Sequence, residues 1–272
     1  MTTTMLTPLA QATDAGAYGG KAAQLASALD AGLPVPTGFA LDWATVREVV
    51  GGDPRALSWL EAVTDARPWA VRSSAIGEDS AEASFAGTHL TVLGVVGLER
   101  VLDAVRQVHD SAHDEAAATY RRQHGLDPAP RMAVVLQPMI ASEVAGVLFT
   151  RNPVTGADER VVEASWGLGE TVVSGLVSPD QYRLATDDGR VLGRWAGEKD
   201  VAMVLQPDGS VAELPVSADQ VDAWCLDEHQ LLQLHGLAEH CDRVFGTLEH
   251  DIEFAFAGDR LHLLQRRPIT HG

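Results

Sequence analysis

Three segments of the 272-residue sequence combine residue types that phosphate and metal chemistry need. In Tyr18-Gly19-Gly20-Lys21, two glycines precede a helical stripe. Backbone N–H groups there can face an anion while Lys21 adds a mobile positive charge. The segment is not a P-loop, because Gly16 is one residue too close and Ala22 stands where Ser or Thr is required. A solvated loop is the competing reading. In Val71-Arg72-Ser73-Ser74-Ala75, an arginine at a strand end beside two serines can fork onto phosphate oxygens. The competing reading is a surface ion pair of Arg72 with Glu78 or Asp79. Downstream, in Ser84-Phe85-Ala86-Gly87-Thr88-His89-Leu90-Thr91, the small residues Ala86 and Gly87 would let backbone amides approach a triphosphate.

The third segment is C-terminal. Asp251-Ile252-Glu253-Phe254 and Leu264-Gln265-Arg266-Arg267 read as a hairpin. Alternation turns Glu253 away from Ile252, Phe254 and Phe256, and puts Gln265 and Arg267 on one face. Register decides whether they meet. A two-residue turn at Gly258-Asp259 would pair Glu253 with Leu264, whereas a three-residue loop, Gly258-Asp259-Arg260, would pair it with Gln265. The second register gathers a carboxylate, a carboxamide oxygen and a guanidinium, two oxygen ligands for Mg²⁺ and a phosphate clamp. A solvent-facing polar side with no further role is the alternative. No Cys-x-x-Cys pair accompanies the ten histidines, and no nucleophile elbow or dinucleotide fingerprint occurs.

The elements that must position these residues follow from periodicity. A helix over Lys21–Ala31 ends at Gly32, and helix-prone sequence runs over 43–63 with a break at Gly51-Gly52-Asp53-Pro54. Strands are expected at Ala70–Ser74, Ala133–Gln137, Ala145–Thr150, Arg160–Ala164 and Gln181–Leu184, with an amphipathic helix over Leu98–His124. Ser217-x-x-Gln220 and Asp227-x-x-Gln230 are capping-box patterns, the second opening a helix that Gly246 stops. Strands and helices mix without βαβ alternation, so the expected class is α+β. Pro138 marks a hinge between an N-terminal lobe (1–138) and a C-terminal lobe (139–272).

Composition sets outer bounds. A hydrophobic fraction of 46% and a charged fraction of 21% belong to a folded globular chain. The net charge of −18 argues against a nucleic-acid partner, and no apolar stretch approaches a membrane span. No secretory signal is evident at the start, so a cytoplasmic location is expected. Cys225 and Cys241 have no motif spacing and are expected as reduced, packed thiols on neighbouring helices. Lysine occurs only at Lys21 and Lys199, so an anionic ligand must depend on few, local cations and a metal.

Taken in order, the motifs resemble a known family. They are Gly19-Gly20-Lys21, Ala31-Gly32-Leu33-Pro34-Val35-Pro36-x-Gly38-Phe39, Val71-Arg72-Ser73-Ser74-Ala75, Ser84-Phe85-Ala86-Gly87, Asn152-Pro153, Ser165-Trp166-Gly167-Leu168-Gly169-Glu170, Asp251-Ile252-Glu253 and Leu264-Gln265-x-Arg267-Pro268. The set resembles the ATP-grasp nucleotide-binding domain of the phosphoenolpyruvate synthase, pyruvate phosphate dikinase and rifampin phosphotransferase family. The resemblance implies a two-lobed fold with ATP in the cleft and Mg²⁺ or Mn²⁺ on its phosphates. It implies that Lys21 and Arg72 contact phosphate, that Thr91 follows the small-residue loop containing Gly87, and that Gln137 and Met139 line the adenine. Glu253 and Gln265 would be metal ligands, and Arg267 would stabilise the transferring phosphate. Phosphoryl transfer is mainly positioning and charge neutralisation, so this set suffices to activate ATP.

The sequence also departs from the family pattern. The stretch between Phe39 and Arg72 is short, Leu90 stands where an acidic residue is usual, and no histidine lies in a carrier-like motif. The expected function is therefore an ATP-dependent, dikinase-type phosphotransferase subunit. It would pass a phosphoryl group to a histidine on a separate carrier protein, alongside a separate substrate domain, with AMP and phosphate as products. The alternatives are a direct ATP-grasp kinase or ligase acting on a small acceptor, and a nucleotide-binding subunit without turnover.

Overall fold

The structure is a computed structural model that describes residues 6–64, 66–77, 90–112, 131–246 and 249–269. Two compact units are present. The first comprises residues 1–30, 37–139 and 208–210, and the second residues 31–36, 140–207 and 211–272. Each is an antiparallel sheet with helices, the expected α+β class.

In the first unit the described strands are β1 (Thr7–Pro8), β2 (Phe39–Leu41), β3 (Trp69–Ala75), β4 (Thr91–Val95) and β5 (Met132–Pro138), in sheet order β1-β2-β5-β3-β4. The helices are α1 (Ala15–Asp30), α2 (Trp43–Val50), α3 (Pro54–Val63) and α4 (Leu98–Ser111). Asp42 and Asp53 cap α2 and α3 by accepting backbone N–H groups, and Pro54 opens α3 at a position where its missing donor costs nothing. The expected break at Gly51-Gly52-Asp53-Pro54 is thus a C-cap followed by an N-cap. Residues 113–124 of the expected long helix lie outside the described residues.

Strand alternation gives this sheet two unlike faces. Trp69, Val71, Val134, Leu136 and Val95 join α2, α3 and α4 residues such as Val46, Leu60, Val101 and Val105 in a buried apolar core. Arg72, Ser74 and Gln137 project from the opposite side, where α1 packs on β3 and β5.

In the second unit the main sheet runs β13-β12-β6-β7-β8-β9. Its strands are β6 (Val144–Phe149), β7 (Glu159–Trp166), β8 (Asp180–Ala185), β9 (Val191–Trp195), β12 (His250–Ala257) and β13 (Arg260–Pro268). A separate ribbon pairs β10 (Val201–Leu205) with β11 (Val211–Pro215). Short helices α5 (Glu170–Val173) and α6 (Ala218–Val221) precede the long α7 (Glu228–Phe245). The Asp227–Gln230 capping box is formed in both directions, as its spacing predicts. The Ser217 pattern is not: that hydroxyl donates to Gln220 Oε1 and caps no backbone group.

One further expectation changes. The cysteines are buried and free, but Cys225 lies in the segment before α7 and only Cys241 is helical. The Gly-rich run at 166–170 is a close-approach device. Gly167 has φ 82°, a Cβ there would collide with the Met203 carbonyl, and Leu168 N–H donates to that same carbonyl at 2.8 Å. Among the described residues no helix is long and apolar enough to cross a membrane.

Candidate phosphate and metal site

In the first unit β3 carries the candidate arginine. Arg72 lies directly opposite Thr91 on β4 and Val135 on β5, which places Gln137 one diagonal away on the same face. The Arg72 guanidinium donates to Gln137 Oε1 at 3.5 Å, and Arg72 and Gln137 are only 9% and 4% exposed. Gln137 thus meets Arg72, a contact that adenine-lining alone does not anticipate. Met139 is half-buried, and its backbone N–H donates to the Pro68 carbonyl at 2.9 Å. That donor is already engaged within the unit. Gly87, Glu78 and Asp79 lie outside the described residues.

Lys21 sits on the first turn after a break in α1. Gly19 has φ 79° and ψ 165°, so the helix restarts at Gly20. Lys199, by contrast, takes no part in this set. It is buried in the second unit, 2.6 Å from Asp180, whose carboxylate also accepts from Gly197 N–H, Cys225 N–H and the Tyr182 hydroxyl. Burial pushes the Tyr182 phenol well above its ordinary range, so it stays a neutral donor.

In the second unit the hairpin brings Glu253 opposite Gln265 and Asp251 opposite Arg267. Neither turn expectation is right by itself. The strands are joined by the two-residue turn, with Ala257 opposite Arg260, and a β-bulge between Glu253 and Phe254 then shifts the register by one. Phe254 still faces Leu263, but Glu253 faces Gln265, and Leu264 is the extra residue. The bulge therefore delivers the polar face without moving Ile252, Phe254 and Phe256 from full burial.

Arg267 Nη2 lies 3.5 Å from Glu253 Oε1 and 3.9 Å from Asp251 Oδ2. Sequence reasoning left Asp251 out of the site, although its two-residue spacing from Glu253 put it on that face. Burial, with Glu253 adding to it against the pull of Arg267, raises the Asp251 carboxyl to about 6. Among the described residues Asp251 Oδ1 is buried with no hydrogen-bond partner, a lone pair that a cation could take. Among the described residues no cluster of three His, Cys, Asp or Glu side chains could hold a metal by itself. Magnesium does not need one, since it takes one or two carboxylates and completes its shell with water and substrate phosphates. The hairpin donor set fits that ion.

The profile of the pyruvate phosphate dikinase AMP/ATP-binding domain matches residues 55–272. The chain belongs to this family. It is the pyruvate phosphate dikinase family that the motif order resembles, and Arg72, Glu253, Gln265 and Arg267 all fall inside the matched range, whereas Lys21 precedes it. A probable phosphoenolpyruvate synthase of Methanothermobacter thermautotrophicus is 33% identical over 94% of this chain and 44% of its own length. A Streptomyces rifampicin phosphotransferase is 39% identical over 84% of this chain and 27% of its own. The prodigiosin synthesizing transferase PigC of Serratia marcescens is 36% identical over 93% and 31%. The chain thus spans less than half the length of each of these relatives.

Proposed function

We propose that the chain is the ATP-activating part of a dikinase-type phosphotransferase. It would bind Mg-ATP and pass a phosphoryl group to a histidine on a separate carrier protein, with AMP and phosphate as eventual products. The relatives named as phosphoenolpyruvate synthase and rifampicin phosphotransferase support an ATP-dependent transfer. The observation that carries the reading is the Glu253–Gln265 pair with Arg267 and Asp251 on one face of the hairpin.

In this reading Lys21, Arg72 and Arg267 neutralise the charge of the polyphosphate tail, with Gly87 and Thr91, the latter opposite Arg72 on β4, adding contacts. Gln137 orients Arg72, and Met139 lies against the base. Glu253 and Gln265 would hold Mg²⁺ or Mn²⁺, with Asp251 beside them. The ion, when bound, supplies charge stabilisation on the phosphoryl oxygens. Arg267 lies near both carboxylates, and a divalent cation that neutralises them would leave its guanidinium to pair with phosphate, since guanidinium pairs with either group.

The test is incubation with radiolabelled ATP, Mg²⁺ and candidate carrier proteins, with separation of AMP from ADP. AMP formation that depends on a carrier and is lost in Glu253→Gln is expected. ADP as sole product would move the reading to direct transfer onto a small acceptor. ATP binding without turnover, indifferent to Glu253→Gln, would make the chain a nucleotide-binding subunit.

A further inference from the structure

The turn that presents Lys21 is held by a side chain from another element. Helix α1 restarts after Gly19, and the first N–H groups of any helical run find no carbonyl one turn earlier in it. An N-cap side chain would ordinarily accept from the third of them, but Gly19 has none. Nor can it acquire one: at φ 79°, a Cβ would press on the carbonyl and hydroxyl of Ser74. The capping oxygen is supplied by Ser74 itself. Its hydroxyl accepts from Ala22 N–H at 3.1 Å and donates to the Tyr18 carbonyl at 2.7 Å, joining the residues on either side of Gly19-Gly20-Lys21. Tyr18 is tied down at its other end, where its hydroxyl meets Thr7 Oγ1 at 2.7 Å.

We propose that Ser74 is a positioning residue for the nucleotide phosphates, acting through Lys21. Ser74 is fully buried on β3, two residues from Arg72 and on the same face of the strand. One strand therefore presents an arginine directly and fixes the backbone from which the lysine reaches. Hydroxyl loss would free the Tyr18–Ala22 backbone and leave Lys21 to sample positions away from the phosphates. The inference rests on the phosphate role given to Lys21 above.

The experiment measures ATP affinity by calorimetry, in Mg²⁺, for the wild type, Ser74→Ala, Lys21→Ala and the double variant. Ser74→Cys, nearly isosteric but a poor hydrogen-bonding partner, covers the case in which alanine does not fold. Loss of these buried hydrogen bonds should weaken ATP about five- to tenfold in Ser74→Ala or Ser74→Cys. The effect should vanish when Lys21 is already alanine. Exchange of the Ala22 amide should rise in the same variants. Native ATP affinity in a folded Ser74 variant overturns the inference, as does a full-sized loss that persists in the Lys21→Ala background. Unchanged affinity in Lys21→Ala alone overturns the phosphate role of Lys21 and, with it, the link from Ser74. Unaltered Ala22 exchange overturns the cap separately.

Discussion

The cations assigned to phosphate differ in how far the rest of the structure depends on them. Arg267 is 39% exposed and meets its carboxylates at 3.5 and 3.9 Å, so removing it costs little folding energy. Lys21 is half-buried on a helix turn whose backbone is held by Ser74. If both touch the transferring phosphates, Lys21→Ala and Arg267→Ala should each lower the transfer rate about 10²- to 10³-fold. Steady-state rates beside melting temperatures check this. A fall under threefold returns the residue to ordinary surface charge. Side-chain types were readable in advance, because a guanidinium beside two serines has few chemical uses. Which partner each would choose was not. Nothing in Val71-Arg72-Ser73-Ser74 says that Gln137, 65 residues away, receives the guanidinium, since that contact depends on pairing Ala70 with Gln137 across β3 and β5.

At the scale of elements, the hairpin shows where sequence reading stops. Alternation alone put Asp251 and Glu253 on one face and the apolar residues on the other, because a strand has no other way to segregate them. The bulge at Glu253/Phe254 leaves no compositional mark, so the register could be posed as a choice but not decided. Helix α7 was legible because its capping box and Gly246 bracket it, whereas β9, β10 and β11 lack a buried stripe and were missed. The same hairpin carries a pH dependence on its other face. His250 is fully buried; its Nδ1 accepts from the Arg266 guanidinium at 2.7 Å, and its Nε2 lies 3.5 Å from Asp242. Burial, reinforced by Arg266, lowers its pKa to about 4. The unfolded chain takes up this proton near pH 6.5 and the folded chain does not, so the stability contributed by His250 falls as pH drops from 6.5 toward 4. The raised carboxyls of Asp242 and Asp251 act in the opposite direction, so the His250 contribution is read against His250→Gln. Chemical denaturation at pH 7 and pH 4.5 should show the wild type losing on the order of 2–3 kcal/mol relative to His250→Gln. Equal losses in both proteins would place the acid sensitivity elsewhere.

For the whole molecule, the imbalance of charge makes the nucleotide's approach distinct from its capture. A chain of net charge −18 repels ATP at long range, yet the residues proposed to receive it are Lys21, Arg72 and Arg267, with a divalent ion. Repulsion acts over the Debye length, about 30 Å at 0.01 M salt and about 8 Å at 0.15 M. Contacts made inside the site act at 3–4 Å and are screened far less. Raising salt should therefore speed association of ATP by a few-fold, the reverse of the usual behaviour of an electrostatically steered ligand. It should also speed dissociation, because the remaining partial exposure of Arg267 lets salt compete with phosphate. Stopped-flow binding of a fluorescent ATP analogue between 0.01 and 0.15 M NaCl, at fixed free Mg²⁺, separates the two rates. Association that slows with salt would mean that a local positive field outweighs the total charge. In that case Lys21→Ala or Arg267→Ala should abolish the slowing, which assigns the field to those side chains.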